Sequence, residues 1–246
     1  MKWIVRHSER IDFDINKWEK HKRFKENRFD SPITNKGKKI ARQAGEEIIK
    51  NDKNIDDITY IYCSPFTRCI ETALEIQKML EKKLKKIVLL RIEYGISETN
   101  FIRYCYELQN FKEFKNNKLV LNIDKNELIY LDDKLKISNL LKEHKNKIDK
   151  SYKSFTKFKD MKYLDSNPLK GWNKRMKAFG HIWDLEKNNT YIIVSHGNAI
   201  KDGIGYILKN LDFKGIENFR WESWCIMTGF KENKLVYEPS IDFWNK

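Results

Sequence analysis

What most limits how this chain can fold is the alternation of short apolar runs with amphipathic stretches of helical period. Lys2–Val5, Ile58–Cys63, Ile87–Ile92 and Tyr191–Ser195 are strand-sized runs. Thr34 reads as the N-cap of a helix running to Lys50, with Ile40, Ala41, Ala44, Ile48 and Ile49 on one face. Ser64-Pro65 opens a second helix to about Leu84, and further helices are expected over Pro168–Lys187 and Asn198–Lys209. Such alternation leads to an α/β fold of three layers, a mainly parallel sheet with helices on both faces. Trp224–Lys231 and Lys234–Tyr237, separated by Glu232-Asn233, read as a terminal hairpin, and the basic, aromatic stretch Phe13–Phe29 as a loop.

From Thr99 to about Ser166 the pattern blurs. A helix around Ile102–Lys115, a strand at Leu119–Ile123 and a helix near Ile137–Ile148 are expected there. No Pro/Gly-rich linker brackets this stretch, so residues 1–246 read as one domain with a mostly helical insertion at about 99–166. No apolar run approaches the roughly 20 residues that span a bilayer, and the N-terminal apolar run stops after three residues, unlike a signal or transit peptide. A cytoplasmic protein that binds no membrane is expected. The net charge is +14, from 49 basic and 35 acidic residues. Lysine supplies most of that excess and is spread along the chain, which reads as compositional bias rather than a nucleic-acid surface. Cys63, Cys69, Cys105 and Cys225 form no CxxC pair and read as reduced core thiols. Exposed strand edges leave room for a homodimer.

Chemistry is concentrated at three strand ends. The first strand runs into Arg6-His7, the second into Ser64-Pro65-Phe66-Thr67-Arg68, and the fourth into Ser195-His196-Gly197. In open α/β sheets, sites form where the carboxyl ends of strands meet. Only ten arginines occur in this lysine-rich chain, yet Arg6, Arg10 and Arg68 fall in these segments. A planar guanidinium grips a tetrahedral oxyanion with paired hydrogen bonds that an ammonium cannot reproduce. The helix start at Arg68 would add backbone N–H donors. Two histidines among arginines at strand ends point to phosphoryl chemistry on a histidine. The segments hold no carboxylate cluster suited to Mg²⁺ and no thiolate set for Zn²⁺, so neither metal nor cofactor is expected. His21, His144 and His181 have no motif around them.

Val5-Arg6-His7-Ser8-Glu9-Arg10-Ile11-Asp12 resembles the signature of the histidine phosphatase, or phosphoglycerate-mutase-like, superfamily. Asp30-Ser31-Pro32-Ile33-Thr34-Asn35-Lys36-Gly37, Tyr62–Ala73 and Val194–Asn198 resemble its later boxes, in family order. Within the superfamily, His-Ser-Glu-Arg before Ile-Asp, together with Glu93 and Glu98, most resembles the suppressor-of-T-cell-receptor-signalling type. The resemblance implies His7 as nucleophile, a phosphate pocket of Arg6, Arg10, Arg68 and His196, and Glu98 as general acid, with Glu93 close enough in sequence to compete. It implies a metal-independent phosphatase working through phosphohistidine on a phosphorylated small molecule or phosphoprotein. A mutase on the same scaffold and a catalytically weak phospho-ligand binder are the alternatives. Ser8 stands where the family has glycine, and its β-carbon is expected to crowd the pocket wall or alter the turn after His7.

Overall fold

The computed structural model describes residues 1–25, 30–98, 112–115, 118–121, 144–156, 168–185, 189–208 and 223–244. Its main sheet has six strands: β1 (Lys2–Arg6), β2 (Tyr60–Cys63), β3 (Leu89–Ile92), β6 (Tyr191–Ser195), β7 (Met227–Lys231) and β8 (Lys234–Ser240). Their spatial order is β3-β2-β6-β1-β7-β8. The pairs β3–β2, β2–β6 and β6–β1 are parallel, and β1–β7 and β7–β8 antiparallel. Because β6 inserts between β2 and β1, the ends of all three strands that carry reactive residues become neighbours.

Alternation along the strands assigns the two faces. Trp3, Val5, Ile61, Cys63, Ile192 and Val194 point into one core, while Ile4, Tyr62, Tyr191 and Ile193 point into the other. The first core is covered by α2 (Asn35–Asn51) and α3 (Thr67–Leu84). Thr34 caps α2 as expected, its hydroxyl accepting from the Gly37 N–H at 2.8 Å, and Ile40, Ala41, Ala44 and Ile48 form the buried stripe. The second core is covered by α4 (Pro168–Leu185), through Met176, Ala178, Phe179, Ile182 and Trp183, and by α5 (Gly197–Leu208), through Ala199, Ile200 and Ile204. This is the three-layer α/β arrangement expected.

Several local expectations are corrected. The stretch after Asp12 is not a plain loop, since Asp14 caps a short helix α1 (Ile15–Lys20) that buries Trp18. Helix α3 begins at Thr67, two residues beyond Pro65. Within the insertion, Lys112–Lys115 is strand β4 rather than the end of a helix, paired with β5 (Lys118–Leu121) as an antiparallel hairpin. Residues 144–148 form turns, and Ile148 bridges to Leu90 at the edge of the sheet. The rest of the two expected insertion helices lies outside the described residues. Among the described residues, no helix is long and apolar enough to cross a membrane.

Candidate functional site

Hydrogen bonds just beyond the strand ends hold the three reactive loops in register. The His7 N–H donates to the Ser195 carbonyl at 2.8 Å, Ser64 N–H to Val194 at 3.1 Å, and Glu93 N–H to Cys63 at 3.0 Å. Further bonds tie the second sequence box beneath the first. Ser8 Oγ donates to the Gly37 carbonyl at 2.7 Å, and the Thr34 hydroxyl donates to Glu9 at 2.8 Å. A β-carbon on Gly37 would sit 2.6 Å from the Glu9 carbonyl oxygen, so this approach requires glycine. Ser8 itself does not take a positive φ. Its hydroxyl is engaged with Gly37 and its N–H donates to Thr72 Oγ1 at 2.9 Å, so the expected disturbance of the turn is absent.

The His7 and His196 rings meet edge to face, with centroids 5.3 Å apart, and both residues are buried. His7 Nδ1 lies 2.9 Å from the Ser8 carbonyl, an acceptor, so Nδ1 carries the proton and Nε2 keeps the lone pair. Burial holds the His7 pKa well below 6.5, and Arg6, Arg68, His196 and Arg10 push in the same direction. At His196 the tautomer is the opposite. Arg68 can only donate, and its Nη2 is 3.2 Å from His196 Nδ1, so that nitrogen accepts and Nε2–H faces Ser64 Oγ at 2.8 Å. Cys69 Sγ lies 3.4 Å from His196 Nε2, and burial pushes its thiol up to about 12, so it packs as a neutral group.

The arginines differ in how they are held. Arg68 is buried, with its guanidinium over the Phe66 ring at 4.3 Å. Arg6 lies over the Trp224 ring at 4.8 Å. Its pKa falls to about 10 through burial, with Glu98 opposing the fall and Arg68 adding to it. Arg10 pairs with Asp12 at 3.0 Å and lies over Phe13 at 5.1 Å. At the α3 N-terminus the Thr67 donors are engaged, since Asp30 accepts from Thr67 N–H and Thr67 Oγ1, each at 2.7 Å.

Glu93 and Glu98 are separated by their surroundings. Glu93 is fully buried. Its carboxylate accepts from the Gly95 N–H at 2.8 Å, Ser154 Oγ at 2.8 Å, Thr156 N–H at 3.1 Å, Tyr152 OH at 2.8 Å and Phe155 N–H at 2.7 Å. That saturates it. Glu98 is half-buried and acts electrostatically on both Arg6 and Cys69, which puts it beside the histidine–arginine cluster.

Two contributors escaped sequence reasoning. Trp224, read as the start of a hairpin, precedes β7 and lies 5.9 Å from the His7 ring and 4.5 Å, edge to face, from exposed Phe13. Arg175 of α4 is buried and donates to Ser97 Oγ, next to Glu98. A cation in the apolar stripe that includes Met176, Phe179 and Ile182 was the available signal. Asn198 is exposed in the first turn of α5. His21 closes α1 and His181 stacks on Phe155 at 4.4 Å, both apart from the cluster. Cys63, Cys69 and Cys225 are free and buried, as expected. Among the described residues, no three His, Cys, Asp or Glu side chains gather in a set that could hold a metal ion.

Residues 3–118 match the family model of the histidine phosphatase superfamily (branch 1). The matched stretch is a little under half of the chain. An ecdysone phosphate phosphatase from Bombix mori, solved with tungstate, superposes with a TM-score of 0.55. It shares 16% identity, over 97% of this chain and 93% of that one, a likeness of fold. An uncharacterized phosphoglycerate mutase family protein of Acanthamoeba polyphaga mimivirus is 36% identical over 91 residues, 37% of this chain and 43% of the relative. Human ubiquitin-associated and SH3 domain-containing protein B is 36% identical over 75 residues, 30% of this chain and 11% of that protein. The match thus spans less than half of each relative. The sheet brings the Ser195-His196-Gly197 segment, which lies outside the matched residues, beside Arg6-His7.

Proposed function

We propose that this chain hydrolyses phosphomonoesters through a phosphohistidine formed on His7, without a metal ion. The observation that carries the reading is a buried, neutral histidine on which three arginines converge electrostatically. Such a cluster suits a tetrahedral dianion, and guanidinium groups supply the charge that a metal would otherwise bring. The His7 Nε2 lone pair attacks phosphorus in line as the bond to the leaving oxygen breaks. Glu98, as the carboxylic acid, gives its proton to that oxygen. It then takes a proton from water, whose oxygen attacks phosphorus while the P–N bond breaks and its electron pair returns to Nε2. Arg6, Arg10 and Arg68 hold the equatorial oxygens. His196 donates to phosphate through Nε2–H once Ser64 releases it.

Glu98 rather than Glu93 is assigned the acid because five donors already hold Glu93. That assignment, with the His-Ser-Glu-Arg run, favours the suppressor-of-T-cell-receptor-signalling type within the superfamily. Phe13 and Trp224 form an aromatic wall beside His7, which favours a planar, apolar leaving group over a small glycerate. The test is turnover of p-nitrophenyl phosphate in chelator, run beside 3-phosphoglycerate with and without a bisphosphoglycerate primer. Phosphate release from the aryl ester with little isomerisation is expected. Efficient isomerisation would instead establish the mutase, and tight binding of an aryl phosphonate without turnover the ligand-binding module.

A further inference from the structure

Beside the histidine–arginine cluster, α1, the turn after it and the start of α2 border an open groove of about 730 Å³. Ile11, Pro32 and Ile33 give it an apolar component. Lys17, Lys22 and Arg23 line it from the first segment, and Lys36 and Lys38 from α2. The carboxylates that share the lining are engaged. Glu9 accepts from the Thr34 hydroxyl and pairs with Lys36 at 3.2 Å. Glu71 accepts the Ile33 N–H at 2.8 Å, and burial raises its pKa. Lys17 also pairs with Asp14 at 2.9 Å, yet the five cations of the lining outnumber its two carboxylates, Glu9 and Glu71, which leaves positive charge in excess along the groove.

Two links tie the groove's lining to the histidine–arginine cluster. Glu9 and Ile11, which line it, flank Arg10 in the chain. Arg23 Nη1 lies 3.3 Å from Thr67 Oγ1, the residue before Arg68. We propose that this groove is a docking site for an acidic peptide segment adjoining the phosphorylated residue that enters the His7 pocket. The inference rests on the phosphatase reading and narrows its substrate to a phosphoprotein with carboxylates near the phosphate. The volume far exceeds that of a single anion, and apolar residues among spaced cations match an extended chain with alternating acidic and apolar side chains. A nucleic acid fits less well, because among the described residues that line the groove there is no Phe, Tyr or Trp to stack a base, only the His21 ring.

The test compares phosphotyrosyl peptides of equal length, flanked by Glu, by Gln or by Lys, with p-nitrophenyl phosphate. Wild type, a Lys22→Ala/Lys38→Ala variant and a Lys82→Ala/Lys83→Ala control, altered at the far end of α3, are assayed at two salt concentrations. Exposed charge pairs contribute up to about 1 kcal/mol each, so KM for the Glu peptide should be roughly five- to tenfold below that of the Gln peptide. The Lys22/Lys38 variant should lose most of that difference with kcat on the aryl ester unchanged, while the control keeps it. Equal KM values for Glu and Gln peptides in wild type, or equal losses in both variants, would overturn the groove. Anisotropy of a fluorescein-labelled Glu peptide separates this inference from the phosphatase reading. A Lys22/Lys38-dependent preference without turnover of any ester would sink the phosphatase and keep the groove. Aryl turnover without that preference would do the reverse. Displacement of the peptide by oligothymidylate at lower concentration than by its unlabelled copy would reassign the groove to nucleic acid and overturn the proposal.

Discussion

At His7, burial and four cationic or polar neighbours act in one direction, and the proton-rich form is the one they oppose. His7, the proposed nucleophile, therefore stays neutral under mildly acidic conditions. In a pH profile of kcat/KM for an aryl phosphate, any acid limb due to His7 should fall well below 6.5, and a His7-dependent limb at 6.5 or above would contradict this. Stability follows the same sign. Below pH 6.5 the unfolded chain protonates His7 and the folded one does not, so this contribution is present above 6.5 and diminishes as pH falls toward the folded pKa. Arg68 makes a second residue-scale case, since its guanidinium both meets His196 Nδ1 and stacks on Phe66. A lysine cannot do both, and Arg68→Lys should lower kcat/KM by on the order of 10²–10³. Wild-type-like efficiency would make Arg68 peripheral. Ser8→Gly should be quiet in catalysis but costly in folding. It removes the Ser8 donor from the Gly37 carbonyl, which keeps its partner within α2, a loss of about 0.5–1.5 kcal/mol that urea unfolding would read.

Glu93 governs the element scale, because four of its five acceptor bonds fasten the turn Tyr94–Ile96 to residues 152–156. Arg91 reinforces that junction through Asp149 at 2.9 Å and Tyr62 OH at 2.7 Å. Glu93→Ala would strand several donors at once, and hydrogen bonds to a charged group are worth about 1.5–3 kcal/mol each before non-additivity. A fall in Tm of roughly 6–12 °C is expected for a chain of this length, and an unchanged Tm would show the junction to be idle. The sequence displayed two carboxylates five residues apart but not which one the fold engages. That choice is made by Tyr152, Ser154, Phe155 and Thr156, some sixty residues downstream, where periodicity carries no signal. Helix α2 shows the opposite limit. Its cap at Thr34 and its apolar stripe are local features, and both were legible. The short helix α1 was not, because a six-residue helix holding one buried tryptophan offers no second turn of pattern to read.

Across the whole molecule, the residues at the strand ends were legible while the strand order was not. Apolar runs identified four parallel strands and a terminal hairpin, yet nothing local to Tyr191–Ser195 says that it inserts between Tyr60–Cys63 and Lys2–Arg6. That insertion is a property of the assembled core. Trp3, Val5, Ile192 and Val194 pack beneath α2 and α3, and Ile4 and Ile193 beneath α4 and α5. It brings His7 and His196 from opposite ends of the chain to ring contact. Trp224 reaches the same place because β7 pairs antiparallel with β1, which returns the start of that strand to the His7 end. In the proposed reaction, this convergence serves to carry a phosphoryl group on one nitrogen. Acid-free quenching of the enzyme during turnover of a ³²P-labelled aryl phosphate, followed by peptide mapping, reads that directly. A label on the peptide containing His7, stable to base, labile to acid and absent from His7→Ala, is the predicted result; turnover that persists unchanged in His7→Ala, with no such adduct in wild type, would contradict the account.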